Sequence, residues 1–478
     1  MRVSALILTF SLTLSLGVGA AETLPEPVRA ALARSGLPED AVAIWIQPVE
    51  ASRPSWRYRA EEAMNPASVM KLVTAWAALD SLGPAFTWST RIAGSSAPGA
   101  TGRLEGNLYL IGGGDPLLTY DRLSRLLRQV RGLGISEITG DLVLDDSLFT
   151  LPPHDPNAFD GRGDRPYNAG PSALVLNFNA IRLTLLTRPG HPRPWIASDP
   201  PLSRIPLVNE VRQEPGPCGE WDDELTASIE PGAAGQDRLT VRGRWRTECQ
   251  RKDWHLAPLP ATRFSPALVG ALWEELGGRL TGRVRFGKTP TNTFPLFEEK
   301  SPPLAEVIRE MNKWSNNVIA RQIFLTLGLQ VAAPGEPLAD AARRNVSISL
   351  GKAGIDATDL VMENGAGLSR IARIRAATVG EVLIAAWRRP FMPEFMAALP
   401  IAGVDGTARR RLKGDPAAGY AHVKTGSLDG VVTVAGYVLD RFGRRYAAVM
   451  LTQHPNASAS RPAQDALLSW IWNGGAQP

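Results

Sequence analysis

Ser68-Val69-Met70-Lys71, Ser315-Asn316-Asn317 and Lys424-Thr425-Gly426-Ser427 stand in that order along the chain. Together they supply a hydroxyl nucleophile, an amine base, a proton relay and an anchor for a carboxylate. That is the equipment of a serine acyl-transferase acting on a peptide with a free C-terminal carboxylate. The i, i+3 spacing of Ser68 and Lys71 puts both side chains on one helix face within hydrogen-bond range. A serine at a helix N-terminus also meets backbone N–H groups that favour developing negative charge. Lys71 acts as a base only if its pKa falls from about 10.4 towards neutrality, a perturbation of about 4 kcal/mol. Desolvation and a second cation, Lys424, would lower it.

Ser315 would relay a proton between Lys71 and the leaving amine, while the Asn317 amide holds a substrate carbonyl and orients Lys71. Gly426 would leave room for a peptide to lie along its strand. Lys424, Thr425 and Ser427 would then grip the terminal carboxylate. The backbone N–H groups of Ser68 and Ser427 would form an oxyanion hole, worth about 3 kcal/mol per donor. Each motif alone also has a plainer reading: a chance Ser-x-x-Lys, a helix-to-helix turn, a charged strand edge. Their conjunction and order favour the chemistry.

The positioning elements are legible in outline. Short helices are expected at 27–35, 338–353 and 377–387, and an amphipathic helix at 68–82 carries the first motif. Strands are expected at 41–47 and 55–60. Between 91 and about 295 the pattern is strand and turn, interrupted by helices at 119–133 and 266–276. Leu304, Val307, Ile308 and Met311 follow i, i+3, i+4, i+7, so a helix precedes the second motif. The end of the chain reads as strand (422–439), strand (444–453) and helix (461–472). The separation of 247 residues between Ser68 and Ser315 (315 − 68) exceeds any simple loop. Both ends are therefore expected to join in one α/β catalytic domain, 22–92 with 296–478, carrying inserted β-rich domains at 93–199 with 257–295 and at 200–256.

At 478 residues, 44% apolar and 21% charged, the chain has the composition of a multidomain globular protein. The net charge of +5 fits a solvated surface or a loose attraction to an anionic wall polymer or membrane. No basic run carries interleaved aromatics, which excludes nucleic acid as a partner. Arg2, the apolar run Ala5 to Val18 and the small residues Gly19, Ala20 and Ala21 predict a signal peptide over 1–21. The run is short of the roughly 20 residues a spanning helix needs, so an exported, periplasmic protein is expected, and no cysteine near the site suggests a lipid anchor. Cys218 and Cys249 are expected to form one disulfide in that compartment, closing a loop of about 30 residues, with two buried thiols as the alternative. The five histidines are scattered without ligand spacing, and neither metal nor cofactor is expected.

The chain resembles the serine penicillin-binding proteins, and among them the class C low-molecular-mass D-alanyl-D-alanine carboxypeptidase/endopeptidases. Beyond the three motifs, the resemblance rests on 106–115 (GNLYLIGGGD), 140–146 (GDLVLDD), 363–370 (ENGAGLSR) and 399–407 (LPIAGVDGT). It implies a β-lactamase-like transpeptidase domain, an antiparallel sheet with helices, interrupted by two inserted domains. It further implies cleavage of the terminal D-Ala-D-Ala bond of peptidoglycan stem peptides and of D-Ala–diaminopimelate cross-links, with β-lactam antibiotics acylating the same serine. Ser68 would be the nucleophile, Lys71 the base, and Ser315, Asn317 and Lys424 their partners. Arg370 and an aspartate before Tyr167 (Asp160 or Asp164) would hold the diaminopimelate side chain. Where some relatives carry an uncharged polar residue this chain has Asp429, a carboxylate that would repel the free acid of diaminopimelate. A β-lactamase or esterase, or a wall-binding scaffold with an idle site, are the competing readings.

Overall fold

The computed structural model describes residues 23–202, 204–231 and 237–477; the expected signal peptide, 1–21, lies outside them. Its organising element is a five-stranded antiparallel sheet built from both ends of the chain. Strands β1 (Val42–Pro48) and β2 (Trp56–Tyr58) come from the start, and β3 (Ala421–Leu428), β4 (Val431–Leu439) and β5 (Arg445–Gln453) from the end. The order is β3-β4-β5-β1-β2, with Ile44 opposite Met450 and Lys424 opposite Ala435.

Both faces of this sheet are covered, which is why β1 is apolar without alternation. Val42, Ile44, Ile46 and Val434 pack beneath helix Glu26–Arg34 and the C-terminal helix, Arg461–Trp472. Ala43, Trp45, Ala435 and Val449 face the other way, onto helix Ala376–Trp387, and share one apolar core with helices α1 (Met70–Leu82), α2 (Leu304–Lys313) and α3 (Asn317–Leu329), which pack behind it. The four residues of the expected 3.6-period stripe, Leu304, Val307, Ile308 and Met311, are all buried on α2. Gly83, at φ +80°, ends α1 in a backbone conformation that residues with a Cβ rarely adopt.

The intervening chain forms separate sheets around a second apolar core. Strands Ser89–Gly94 and Phe294–Lys300 pair antiparallel at its edge, so the chain leaves and re-enters the part built on the central sheet side by side. A three-stranded sheet of Leu207–Glu214, Asp237–Arg246 and Leu225–Pro231 carries the Cys218–Cys249 disulfide at one end. Three expectations are corrected. The single strand placed at 422–439 is two, β3 and β4, paired antiparallel about a turn at Asp429 and Gly430. The helix placed at 266–276 begins at Ala261, with Pro266 inside it. The helix placed at 68–82 begins at Met70, preceded by a 3₁₀ turn, Ala67–Val69, that contains Ser68. Among the described residues no helix is long and apolar enough to cross a membrane.

Candidate active site

Ser68 is aimed by a strained, heavily braced turn. Ala67 has φ +45°, a left-handed conformation costly for a residue with a Cβ. Its N–H donates to Asn65 Oδ1 at 2.9 Å, while Thr433 Oγ1 donates to Pro66 O at 2.8 Å. On the opposite side Gly367, at φ +76°, lies so close that any side chain there would enter the Ala67 carbonyl. One helical turn on, the fully buried Lys71 directs Nζ at three oxygens: Ser68 Oγ at 2.9 Å, Asn317 Oδ1 at 2.7 Å and Ala366 O at 2.6 Å.

The identity of these partners decides how the amine can be used. Ala366 O and Asn317 Oδ1 can only accept, and the Asn317 amide is turned that way because its Nδ2 donates to Tyr167 O at 3.1 Å. A neutral amine has two N–H groups and one lone pair. The two donors go to Asn317 and Ala366, which leaves the lone pair facing the Ser68 hydroxyl. The electrostatics favour that neutral form. Burial, then Lys424, then Arg321 hold the Lys71 pKa well below the ordinary lysine range.

The second motif sits between α2 and α3. Ser315 has φ +57°, and Asn316 caps α3 by accepting from Ile319 N–H. Lys424, on β3, is also fully buried, donating to Ser315 Oγ at 2.9 Å and to Thr425 O at 2.7 Å. Desolvation lowers its pKa to about 7. The structure thus forms a continuous chain of contacts from Ser68 through Lys71 to Asn317, with Lys424 and Ser315 as a second pair beside it.

Gly426 needs a different explanation from the one given above. A Cβ there would meet Thr433 Oγ1, Ser68 N at 2.8 Å and Pro66 O at 2.9 Å. The missing side chain makes room for the turn that carries Ser68, rather than for a peptide, because this position of β3 faces inwards. Thr425 and Ser427 alternate to the other face; Thr425 Oγ1 lies 3.0 Å from Thr407 Oγ1.

Ser68 opens into a cleft of about 590 Å³ lined by Ser315, Asn317, Ser427, Asp160, Asp429 and Arg370, among others. Of the two aspartates considered beside Tyr167, Asp160 lines this cleft, whereas Asp164 faces a neighbouring cavity and its carbonyl accepts from Ala257 N–H. Burial opposes ionisation of Asp160, but hydrogen bonds from Tyr167, the Arg162 N–H and Asn168 hold its carboxyl below the usual range. Arg370 lies 3.3 Å from Asp429 Oδ2 and over the Phe159 ring at 4.5 Å.

Several contributors escaped sequence reading. Arg321, nine-tenths buried beside Ala169 O, adds positive charge near Lys71. Burial lowers its own pKa to about 10. Thr407 and the Ala366 carbonyl touch the motif residues only through tertiary folding. No spacing rule announces them, although both stretches belong to segments that carried the resemblance.

The chain as a whole is similar to proteins already known. The family model for the D-Ala-D-Ala carboxypeptidase 3 (S13) family matches residues 24–473. A D-alanyl-D-alanine carboxypeptidase from Actinomadura is 30% identical over 437 residues, covering 85% of this chain and 76% of its own. D-alanyl-D-alanine carboxypeptidase DacB from Haemophilus influenzae is 27% identical, covering 82% and 81%. The crystal structure of penicillin binding protein 4 (dacB) from the same organism superposes with a TM-score of 0.74 at 25% identity, over 92% of this chain and 99% of that one. A structure of that protein complexed with a β-lactam superposes with a TM-score of 0.69.

Proposed function

This chain belongs to the D-Ala-D-Ala carboxypeptidase 3 (S13) family, and from that membership we propose that it removes the terminal D-Ala of peptidoglycan stem peptides through an acyl-enzyme on Ser68. The observation that carries the reading is the triple contact of Lys71 Nζ with Ser68 Oγ, Asn317 Oδ1 and Ala366 O; in the neutral amine that burial favours, the last two take both donors and leave the lone pair for Ser68 Oγ.

Lys71 takes the hydroxyl proton as Ser68 Oγ attacks the penultimate D-Ala carbonyl. The developing oxyanion is held by the backbone N–H groups of Ser68 and Ser427. Each such donor is worth about 3 kcal/mol, because it needs no reorientation when charge appears. Collapse breaks the C–N bond. The leaving amine takes up a proton through Ser315, which Lys424 holds in place at 2.9 Å. Lys71 then takes a proton from the water that attacks the ester carbonyl and passes it to Ser68 Oγ, 2.9 Å away, as the acyl C–O bond breaks, which restores the neutral amine and the free hydroxyl. Penicillin, whose strained amide presents the same carbonyl and carboxylate, acylates the same oxygen. Cleavage of D-Ala–diaminopimelate cross-links is the same reaction with a larger leaving amine. Arg370 and Asp160, both at the cleft, are the groups that would hold the stem-peptide side chain. Export through the 1–21 segment would place the enzyme at the wall.

The test is incubation with fluorescent penicillin, with D-Ala release from a D-Ala-D-Ala peptide measured in parallel. A stable adduct lost in Ser68→Ala, together with D-Ala release, is expected. Rapid turnover of the penicillin would instead mark a β-lactamase, and absence of label a binding scaffold. Digestion of cross-linked wall, with products read by mass, tests the endopeptidase step.

A further inference from the structure

Two guanidinium groups line the Ser68 cleft, and they are not equivalent. Arg370 is neutralised by Asp429 and stacked on Phe159. Arg461 has no carboxylate within ion-pair reach among the described residues; its hydrogen bond goes to Ser427 Oγ, at 3.4 Å. Arg461 is also the first residue of the C-terminal helix, Arg461–Trp472, whose first turn carries no acidic residue. A cation there opposes the helix dipole, so the placement contributes nothing to helix stability. An unpaired charge in a locally unfavourable position, beside a hydroxyl of the catalytic strand, is what a binding site requires and a stability requirement does not supply.

The lysine of the third motif is poorly suited to bind the carboxylate directly. Lys424 is fully buried, and its amine is taken up by Ser315 Oγ and Thr425 O. The exposed edge of β3 at that point offers the Thr425 and Ser427 hydroxyls, which carry no charge. We propose that Arg461 is the cation that recognises the terminal carboxylate of the leaving D-amino acid, acting with the Ser427 hydroxyl it touches. This rests on the acyl-enzyme reading and adds the specificity-determining charge to it. The carboxylate would accept from the guanidinium and from Ser427 Oγ together, which selects acids over amides and esters at the peptide's end.

The measurement pairs two ligands with two backgrounds. In Ser68→Ala, which cannot turn substrate over, calorimetry compares an N-acylated D-Ala-D-Ala acid with its C-terminal amide. The acid is expected to bind roughly tenfold tighter or more, the scale of one hydrogen bond to a charged group. Adding Arg461→Ala is expected to erase that ratio without lowering the melting temperature, and Arg461→Lys to restore part of it. In the unmodified nucleophile background, acylation by benzylpenicillin is compared with its neutral methyl ester, and Arg461→Ala is expected to remove the preference for the acid. An acid-to-amide ratio unchanged by Arg461→Ala overturns the proposal. Selective binding of the acid by a chain that penicillin never labels would overturn the acyl-enzyme reading and leave the carboxylate site standing.

Discussion

Gly426 on β3 and Ser68 on the nucleophile turn are in direct backbone contact: a methyl group on the glycine would stand 2.8 Å from the Ser68 nitrogen. The same methyl would press on Pro66 O and Thr433 Oγ1, the two atoms that lock the turn. Gly426→Ala is therefore expected to displace Ser68 by about an ångström and to lower the acylation rate by about 100-fold, the loss such a misplacement causes. Stopped-flow labelling with fluorescent penicillin measures it. An unchanged rate would mean that strand and turn can separate freely.

Lys424 lowers the Lys71 pKa, second only to burial. Lys424→Met removes that cation, so Lys71 gains its proton at a higher pH, and the acid limb of the acylation profile should move towards alkaline pH as well as dropping in height. A limb that stays in place would show that burial alone sets the lysine.

Lys424 itself has a folded-state pKa of about 7 against an ordinary value of 10.5. Between those values the unfolded chain binds more protons than the folded one, so stability rises with pH across that window, by at most about 1.4 kcal/mol per unit. Below about 7 both states are protonated and this slope vanishes. Denaturant midpoints of the unsubstituted chain are expected to climb from pH 7 to 10 relative to Lys424→Met; parallel curves would contradict the assignment.

Ser315 holds φ +57° in order to face Lys424. Ser315→Gly should relieve that backbone, adding up to about 1 kcal/mol of stability, while slowing D-Ala release by about 100-fold through loss of the hydroxyl relay. Gains and losses are read by chemical denaturation and steady-state kinetics on the same preparation.

Asp429 is 96% exposed and touches Arg370 across the cleft. The pair is worth little to folding, about 0–1 kcal/mol, so Asp429→Asn should leave the melting temperature within a degree or two. It should raise turnover several-fold for stem peptides whose third side chain ends in a free carboxylate. Equal turnover of acid and amidated peptides before and after substitution would remove Asp429 from the specificity of the site.

What could be read in the sequence, and what could not, divides along a physical line. The Ser68–Lys71 spacing and the stripe Leu304, Val307, Ile308, Met311 are local periodicities, and they map directly onto a turn and a helix. The α/β architecture from the two chain ends was also legible, because the 247-residue separation of the first two motifs exceeds any simple loop. The Ala366 carbonyl, the Tyr167 carbonyl that fixes Asn317, and Arg321 act through backbone or burial that only the assembled fold creates. Gly426 was misread for a related reason: a glycine announces missing volume but not which neighbour takes it. Asp160 and Asp164 are four residues apart in one loop, and loop residues carry no periodicity to say which faces the cleft.

In the central sheet, β1, made of residues 42–48, lies between β5, residues 445–453, and the short β2. A ribosome must therefore have synthesised residues 445–453 before the first-made strand finds that neighbour, and the third motif, 424–427, emerges only shortly before them. Premature termination anywhere upstream leaves a hydroxyl without its opposing strand, so a truncated product would carry no hydrolytic competence.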